Sequence, residues 1–159
     1  MFQSARSKML LTATALAAAL LIAFGLYSYI SGTRLQRENE SKKALCTPAD
    51  YAAAVADADG FKDTYVYFTG TVMGVQTEKS TYNVRVSPDG EDAHYYYVAY
   101  TSNQIPTEVE IGDKVTYWAK SGGHYTYETL TGDTVTAPLA YAFAVEILEE
   151  APESENNTQ

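Results

Sequence analysis

Aromatic side chains are the residues of this chain whose type and spacing could support chemistry, because its 159 residues include 14 tyrosines. Exposed aromatic rings stack on planar bases or on sugars, but tyrosine also suits half-exposed strands, where its ring packs and its hydroxyl stays wet. The candidates for a ligand-binding aromatic face are Tyr82, Tyr95, Tyr97, Tyr117, Trp118, Tyr125 and Tyr127. Strand alternation already explains about half of them, which favours packing as their role.

Catalytic groups show no recognisable pattern. His94 and His124 do not form a ligand pair, and Cys46, the single cysteine, lies far from both in sequence. No serine sits in a nucleophile elbow, and no glycine-rich phosphate loop is present. Acidic residues in the segment 89–92 offer oxygen ligands to Ca²⁺, but their spacing misses the EF-hand pattern. We therefore expect no enzymatic activity, no catalytic residue, no metal site and no cofactor.

Charge is divided unevenly along the chain, whose formal net charge is −9. Residues 1–43 hold six Lys or Arg against two Glu, whereas the remainder holds five Lys or Arg against eighteen Asp or Glu. Phosphate backbones repel a domain this acidic, because Lys and Arg supply most of the non-specific affinity for nucleic acid. The composition therefore predicts that nucleic acid is an unlikely partner.

The N-terminal segment predicts a membrane anchor. Residues 9–30 carry no charge and are long enough to span a hydrocarbon core of about 30 Å. A cleavable signal peptide and a buried helix are the alternatives, and Cys46 lies too far past the apolar run for lipidation. The count of flanking Lys and Arg favours a cytoplasmic C-terminal domain, but a short basic tail before an apolar run is how export signals begin. The favoured arrangement is therefore single-pass in the cell membrane, with the C-terminal domain extracytoplasmic. The predicted divisions are a basic tail 1–8, the anchor 9–30, a polar spacer 31–46, a β domain 47–148 and a disordered acidic tail 149–159.

Strand patterns dominate the β domain. A short helix is predicted first, with Thr47 as its cap and Pro48 in its first turn. Runs rich in β-branched and aromatic residues then predict strands at 65–76, 82–86, 94–101, 114–119, 125–129 and 135–148. Glycines inside the first run mark a bend, and Gly122-Gly123 predicts a hairpin turn. The pattern predicts a mainly β protein, a small closed antiparallel barrel of five to six strands preceded by a short helix.

Several short motifs resemble the OB-fold, in the anticodon-binding-like single-domain form anchored to the surface of Gram-positive bacteria. They are the first-strand run Val66–Val72, the turn Ile111–Val115, the Gly-x-Tyr-x-Tyr-Glu-Thr run within Gly122–Thr129, Pro138 and the helix from Pro48. The resemblance covers residues 48–148. It implies an OB-like barrel behind a transmembrane helix, no settled activity and a binding role.

The leading functional expectation is a membrane-anchored, extracytoplasmic, non-enzymatic module that binds a protein or a glycan at the cell envelope. A contiguous aromatic patch on the barrel would favour it. One alternative is a nucleic-acid-binding OB domain, which a basic stripe would favour; its candidate residues are Lys62, Lys79, Arg85, Lys114 and Lys120. A second alternative is an accessory subunit that acts through its transmembrane helix, whose alanines suit helix contacts.

Overall fold

The computed structural model describes residue 32, residues 34–128 and residues 132–152. The chain divides into two units, residues 1–40 and residues 41–159. In the first unit, residues 34–40 are helical, and helical conformation also covers residues 41–43 of the second, within the predicted spacer. The predicted anchor 9–30 lies outside the described residues and stays a prediction. Within the described ranges, no helix has both the length and the apolar character needed to cross a bilayer.

The second unit is built mainly of β-strands, as predicted. Its two short helices are α1 (Tyr51–Ala56) and α2 (Ala58–Phe61). Its strands are β1 (Thr47–Pro48), β2 (Tyr65–Glu78), β3 (Thr81–Ser87), β4 (Tyr96–Thr101), β5 (Lys114–Glu128) and β6 (Thr134–Glu149).

The strands close into a ring in the order β2-β3-β4-β6-β5, and β5 pairs back with β2. Most of these pairs are antiparallel, but β6 runs parallel to β4 over three residues, from Tyr97 opposite Leu139 to Ala99 opposite Tyr141. The two-residue β1 is also parallel to β2. The prediction of an all-antiparallel barrel is therefore wrong. Strand β6 runs antiparallel to β5, and a strand that runs in this direction is parallel to its other neighbour, β4.

Strand β2 serves both halves of the ring. Residues 65–71 pair with β5, and residues 71–78 pair with β3 across a bulge between Val72 and Gly74. A Cβ added to Gly70 would lie 2.3 Å from the carbonyl oxygen of Ser87, so only glycine lets β3 approach the bend. The glycines predicted this bend correctly.

Alternation along the strands fills the interior. On β4, Tyr96, Val98 and Tyr100 point into the core, and the ring of Tyr96 stacks on Phe68 with centroids 4.0 Å apart. The Tyr96 hydroxyl has no hydrogen-bond partner among the described residues. Burial raises the pKa of this phenol well above its usual range, so it stays neutral.

The predicted start of the first helix is wrong, because its first residues form a short strand instead. Thr47 and Pro48 lie opposite Val66 and Tyr67 as strand β1, because β2 leaves this edge open for pairing. Asp50 caps α1 instead: its carboxylate accepts a hydrogen bond from the backbone N–H of Ala53 at 3.2 Å.

The predicted hairpin within residues 114–129 is also wrong, because β5 is continuous. Gly122 and Gly123 form a bulge opposite β6 rather than a turn, and Gly123 has a φ of +85°. Past this bulge, residues 124–128 pair only with residues 134–138 of β6 among the described residues, forming a two-stranded ribbon beyond the ring. The ribbon carries two of the candidate tyrosines.

Candidate ligand-binding site

Three tyrosines from two elements stack against one another. Tyr97 points outward from β4, between the inward-pointing Tyr96 and Val98. Tyr125 and Tyr127 lie on the ribbon of β5. The rings of Tyr97 and Tyr125 have centroids 4.6 Å apart, and those of Tyr125 and Tyr127 lie 5.6 Å apart. The bulge in β5 therefore brings the ribbon over the outer face of β4.

Tyr95 supports this stack from beneath. It is buried, and its hydroxyl lies 2.5 Å from that of Tyr127. Burial raises the pKa of the Tyr95 phenol, and its hydrogen bond with Tyr127 raises it further. The guanidinium of Arg85 lies over the Tyr95 ring at 5.6 Å, which is cation–π distance. The contact between the hydroxyls of Tyr95 and Tyr127 fixes the orientation of Tyr127 in the stack.

The stacked rings form one wall of an open groove with a volume of about 720 Å³, the tyrosine groove. Its lining residues are Met73, Gly74, Val75, Gln76, Asn83, Arg85, Tyr97, Ile111, Tyr125, Tyr127 and Glu128. The groove combines aromatic faces with two side-chain amides, one guanidinium and one carboxylate.

Arg85 reaches the groove because its neighbour on β2 is a glycine. Gly74 lies opposite Arg85 at the bulge, and a Cβ there would lie 2.8 Å from Nη2 of the guanidinium. A larger residue at position 74 would displace the guanidinium from its place across the strand. The bulge thus builds the charged side of the groove.

The structure brings together four of the seven predicted aromatic residues: Tyr95, Tyr97, Tyr125 and Tyr127. Tyr117 lies fully buried in the core. Tyr82 stacks on Tyr100 with centroids 5.2 Å apart, away from the groove. Trp118 lies on another side of the barrel, where the ammonium of Lys43 is 4.4 Å from its ring centroid.

Asn83 and Gln76 were not predicted to lie in the site, and Arg85 was predicted only as part of a basic stripe. Alternation on β3 was the available signal, since Val84 and Val86 point inward and therefore turn Asn83 and Arg85 outward. Of the five basic residues proposed for that stripe, Arg85 is the one that lines the tyrosine groove.

Both histidines and Asp89 have structural partners. His124 donates from Nε2 to the carbonyl of Ala54 at 2.7 Å, and His94 Nδ1 lies 2.9 Å from Asp89. Hydrogen bonds from His94, then from the backbone N–H of Glu91, hold the pKa of Asp89 at about 2. Within the described part of the chain, no group of three or more His, Cys, Asp or Glu residues is placed to hold a metal ion.

No family model and no curated protein matches this chain. Solved structures do match. An aspartyl-tRNA synthetase from Entamoeba histolytica aligns with a TM-score of 0.52 and 6% identity, over 69% of this chain and 22% of that one. An OBody bound to hen egg-white lysozyme aligns with a TM-score of 0.50 and 15% identity, over 66% of this chain and 98% of that one. The mitochondrial single-stranded DNA binding protein of S. cerevisiae aligns with a TM-score of 0.40 and 13% identity, over 56% and 97%.

These likenesses show the fold, which is an OB-fold. The Gram-positive anchored form and its activity stay predictions. The predicted partners need correction: nucleic acid was judged unlikely in favour of an envelope protein or glycan, yet the same fold occurs in an aspartyl-tRNA synthetase. The charge of the acidic domain misled because it sums over all its surfaces, whereas the groove itself is lined by one basic side chain, Arg85, and one acidic side chain, Glu128.

Proposed function

We propose that the barrel binds a short stretch of single-stranded nucleic acid in the tyrosine groove, without catalysing a reaction on it. The observation that carries this proposal is the stack of Tyr97, Tyr125 and Tyr127 beside Arg85 on the outer face of the barrel. An OB-fold is a frequent scaffold for such sites.

Stacking on the tyrosines supplies most of the affinity. The Tyr125 side chain is 38% exposed, so part of its ring can meet a base. Tyr97 and Tyr127 both pack against its ring and against each other, which restricts the ring and reduces the entropy lost when a base stacks. Each stacked base contributes about 1–3 kcal/mol in proteins of this kind.

Polar side chains at the groove provide contacts to base edges and to one phosphate. The amides of Asn83 and Gln76 each offer donors and an acceptor, which suit the edges of unpaired bases. Arg85 offers its planar guanidinium to a phosphate oxygen or to a base face. These contacts favour a single strand, whose bases are not already paired.

The acidic character of the chain limits the electrostatic part of binding. One phosphate contact through Arg85 gives a salt dependence with a slope of about −0.7 in log K against log salt concentration. A basic single-strand channel with many Lys and Arg contacts has a much steeper slope. Shallow salt dependence is therefore a specific signature of this site.

The test compares two tyrosines of equal exposure, Tyr125 in the groove and Tyr67 outside it, at 38% and 37%. Binding of a fluorescently labelled single-stranded oligonucleotide to the full chain is followed by anisotropy. We expect Tyr125→Ala to weaken binding between about 5-fold and 100-fold and Tyr67→Ala to leave it unchanged.

Two results would overturn the proposal. One is the absence of oligonucleotide binding by the wild-type chain. The other is an equal loss of affinity in both alanine variants when thermal unfolding shows both to be folded.

A further inference from the structure

A second groove lies on the wall of the barrel next to the tyrosine groove. It has a volume of about 480 Å³ and is named the side groove. Its lining residues are Lys42, Tyr65, Thr81, Ala99, Tyr100, Thr101, Gln104, Lys120, Tyr141, Ala142 and Phe143. Aromatic rings and two lysines dominate it, although the chain as a whole is acidic.

Strand register connects the two grooves by a continuous row of facing residues. Asn83, in the tyrosine groove, lies opposite Ala99 of β4, which lines the side groove. Ala99 lies opposite Tyr141 of β6. Tyr141 lies opposite Lys120 of β5, and Lys120 opposite Tyr65 of β2. At about 4.8 Å between neighbouring strands, this row is roughly 19 Å long.

The far end of the row, Tyr141, Lys120 and Tyr65, alternates aromatic and cationic side chains. Tyr141 is 54% exposed, and its ring packs against Gly122, where an added Cβ would lie 2.7 Å from Cε2. The rings of Tyr65 and Phe143 meet edge to face at 6.1 Å, and the ammonium of Lys42 lies 5.8 Å from the Phe143 centroid. Rings that present faces beside ammonium groups match the bases and phosphates of one strand.

We propose that a single strand bound in the tyrosine groove continues along this row into the side groove, stacking on Tyr141 and Tyr65 with phosphates near Lys120 and Lys42. This inference rests on the proposed function and extends its ligand from a few nucleotides to a longer strand. The side groove also supplies Lys120 and Lys42 as cations for phosphates beyond the one that Arg85 contacts.

Asp63 acts as a competitor for the phosphate at Lys120. The Lys120 ammonium lies 2.6 Å from the Asp63 carboxylate, and both side chains are exposed. A phosphate oxygen that approaches Lys120 must share or displace this carboxylate. Asp63 has a left-handed φ of 63°, a conformation that asparagine also adopts readily, so Asp63→Asn removes the competing charge without backbone strain.

The experiment measures the affinity of the full chain for single-stranded oligothymidylates of about 4, 8 and 16 nucleotides, which cover the site sizes seen for OB-folds. We expect the longest strand to bind the wild type about tenfold more tightly than the shortest. We expect Tyr141→Ala and Lys120→Gln to weaken binding of the long strand several-fold and to leave the short strand unaffected. Asp63→Asn should tighten binding of the long strand, in the opposite direction to Lys120→Gln.

The outcomes separate the two proposals. The continuation would be overturned if the long strand still bound more tightly than the short one in Tyr141→Ala. If the short strand still bound in a Tyr125-dependent way, the proposed site in the tyrosine groove would stand. A gain that disappears in Tyr141→Ala and grows in Asp63→Asn supports the continuation. Absence of binding to any oligothymidylate overturns the proposed function itself. Thermal unfolding of each variant verifies that the barrel is folded.

Discussion

Two adjacent tyrosines on β4 have opposite environments. Tyr96 is 1% exposed, stacks on Phe68 and has a hydroxyl without a partner among the described residues. Tyr97 is half-buried on the outer face, where it stacks on Tyr125. Both residues have the same side chain, so the difference comes from the alternation of the strand alone. Tyrosine content by itself therefore says little about binding until each ring is assigned to a face.

The same contrast holds along β5. Tyr117 lies in the part of β5 that pairs with both β2 and β6, and it is fully buried. Tyr125 and Tyr127 lie beyond the bulge, in the ribbon that pairs with β6 alone among the described residues. The bulge at Gly122 and Gly123 thus separates a core-forming half of the strand from a half that lines the tyrosine groove.

The largest effect that tests this contrast comes from the core. Tyr96→Ala should lower the free energy of unfolding by about 3–5 kcal/mol, because it removes a fully buried ring. Tyr96→Phe should be nearly neutral, because the hydroxyl it removes makes no hydrogen bond with any described residue. Urea denaturation of both variants measures these values. A large loss in the phenylalanine variant would show that the hydroxyl has a partner after all.

Substitution of Tyr97, the neighbouring residue, should affect ligand binding more than stability. Tyr97→Ala removes a ring from the stack, so we expect binding of single-stranded nucleic acid to weaken by about 1–3 kcal/mol. Its unfolding free energy should change by less than that of Tyr96→Ala, since the ring is half-buried. Oligonucleotide titration and urea denaturation of the same sample measure both quantities. If Tyr97→Ala loses stability but keeps its affinity, the assignment of the two faces is wrong.

A smaller effect concerns the support beneath the stack. Tyr95→Phe breaks the hydroxyl pair with Tyr127 and should cost about 0.5–1.5 kcal/mol of stability. Tyr127→Phe removes the same bond, so the double variant should cost less than the sum of the two single variants. Urea denaturation in a double-mutant cycle measures this coupling. Additive losses would mean that the bond contributes nothing.

The smallest effect lies in the loop that leads into β4. The pKa of Asp89 is lowered to about 2 by hydrogen bonds from His94 and from the Glu91 N–H. A carboxyl with a lowered pKa stabilises the fold fully above its ordinary pKa near 4 and loses that contribution as the pH falls toward 2. Asp89→Asn should therefore flatten the pH dependence of thermal stability between about pH 4 and pH 2. If the pH dependence of thermal stability were the same in this variant as in the wild type, the Asp89 carboxylate would not contribute to stability.

Local patterns predicted much of this architecture. The β-branched and aromatic run at 94–101 predicted strand β4, and the glycines of β2 predicted its bend. The parallel seam between β4 and β6 could not be predicted, because nothing within either strand specifies its partner. Gly122-Gly123 has the composition of a turn, and its role as a bulge depends on β6 continuing past it.

The site was predictable only in part for the same reason. Its tyrosines stand out in composition, but the stack depends on the ribbon folding over β4. Arg85 reaches the groove through its pairing with Gly74, a contact between strands. Summed charge also concealed the local arrangement, in which Arg85, Lys120 and Lys42 lie along the two grooves.

The three-residue seam between β4 and β6 has a consequence for the order of folding. Because β6 supplies the pairs that link β4 to β5, the ring stays open until residues 134–149 have left the ribosome. Closing it joins segments distant in sequence, and such non-local pairing slows the search for the native state. Before closure, the emerging chain exposes unpaired edges of β4 and β5, the kind of surface that favours association between incomplete chains.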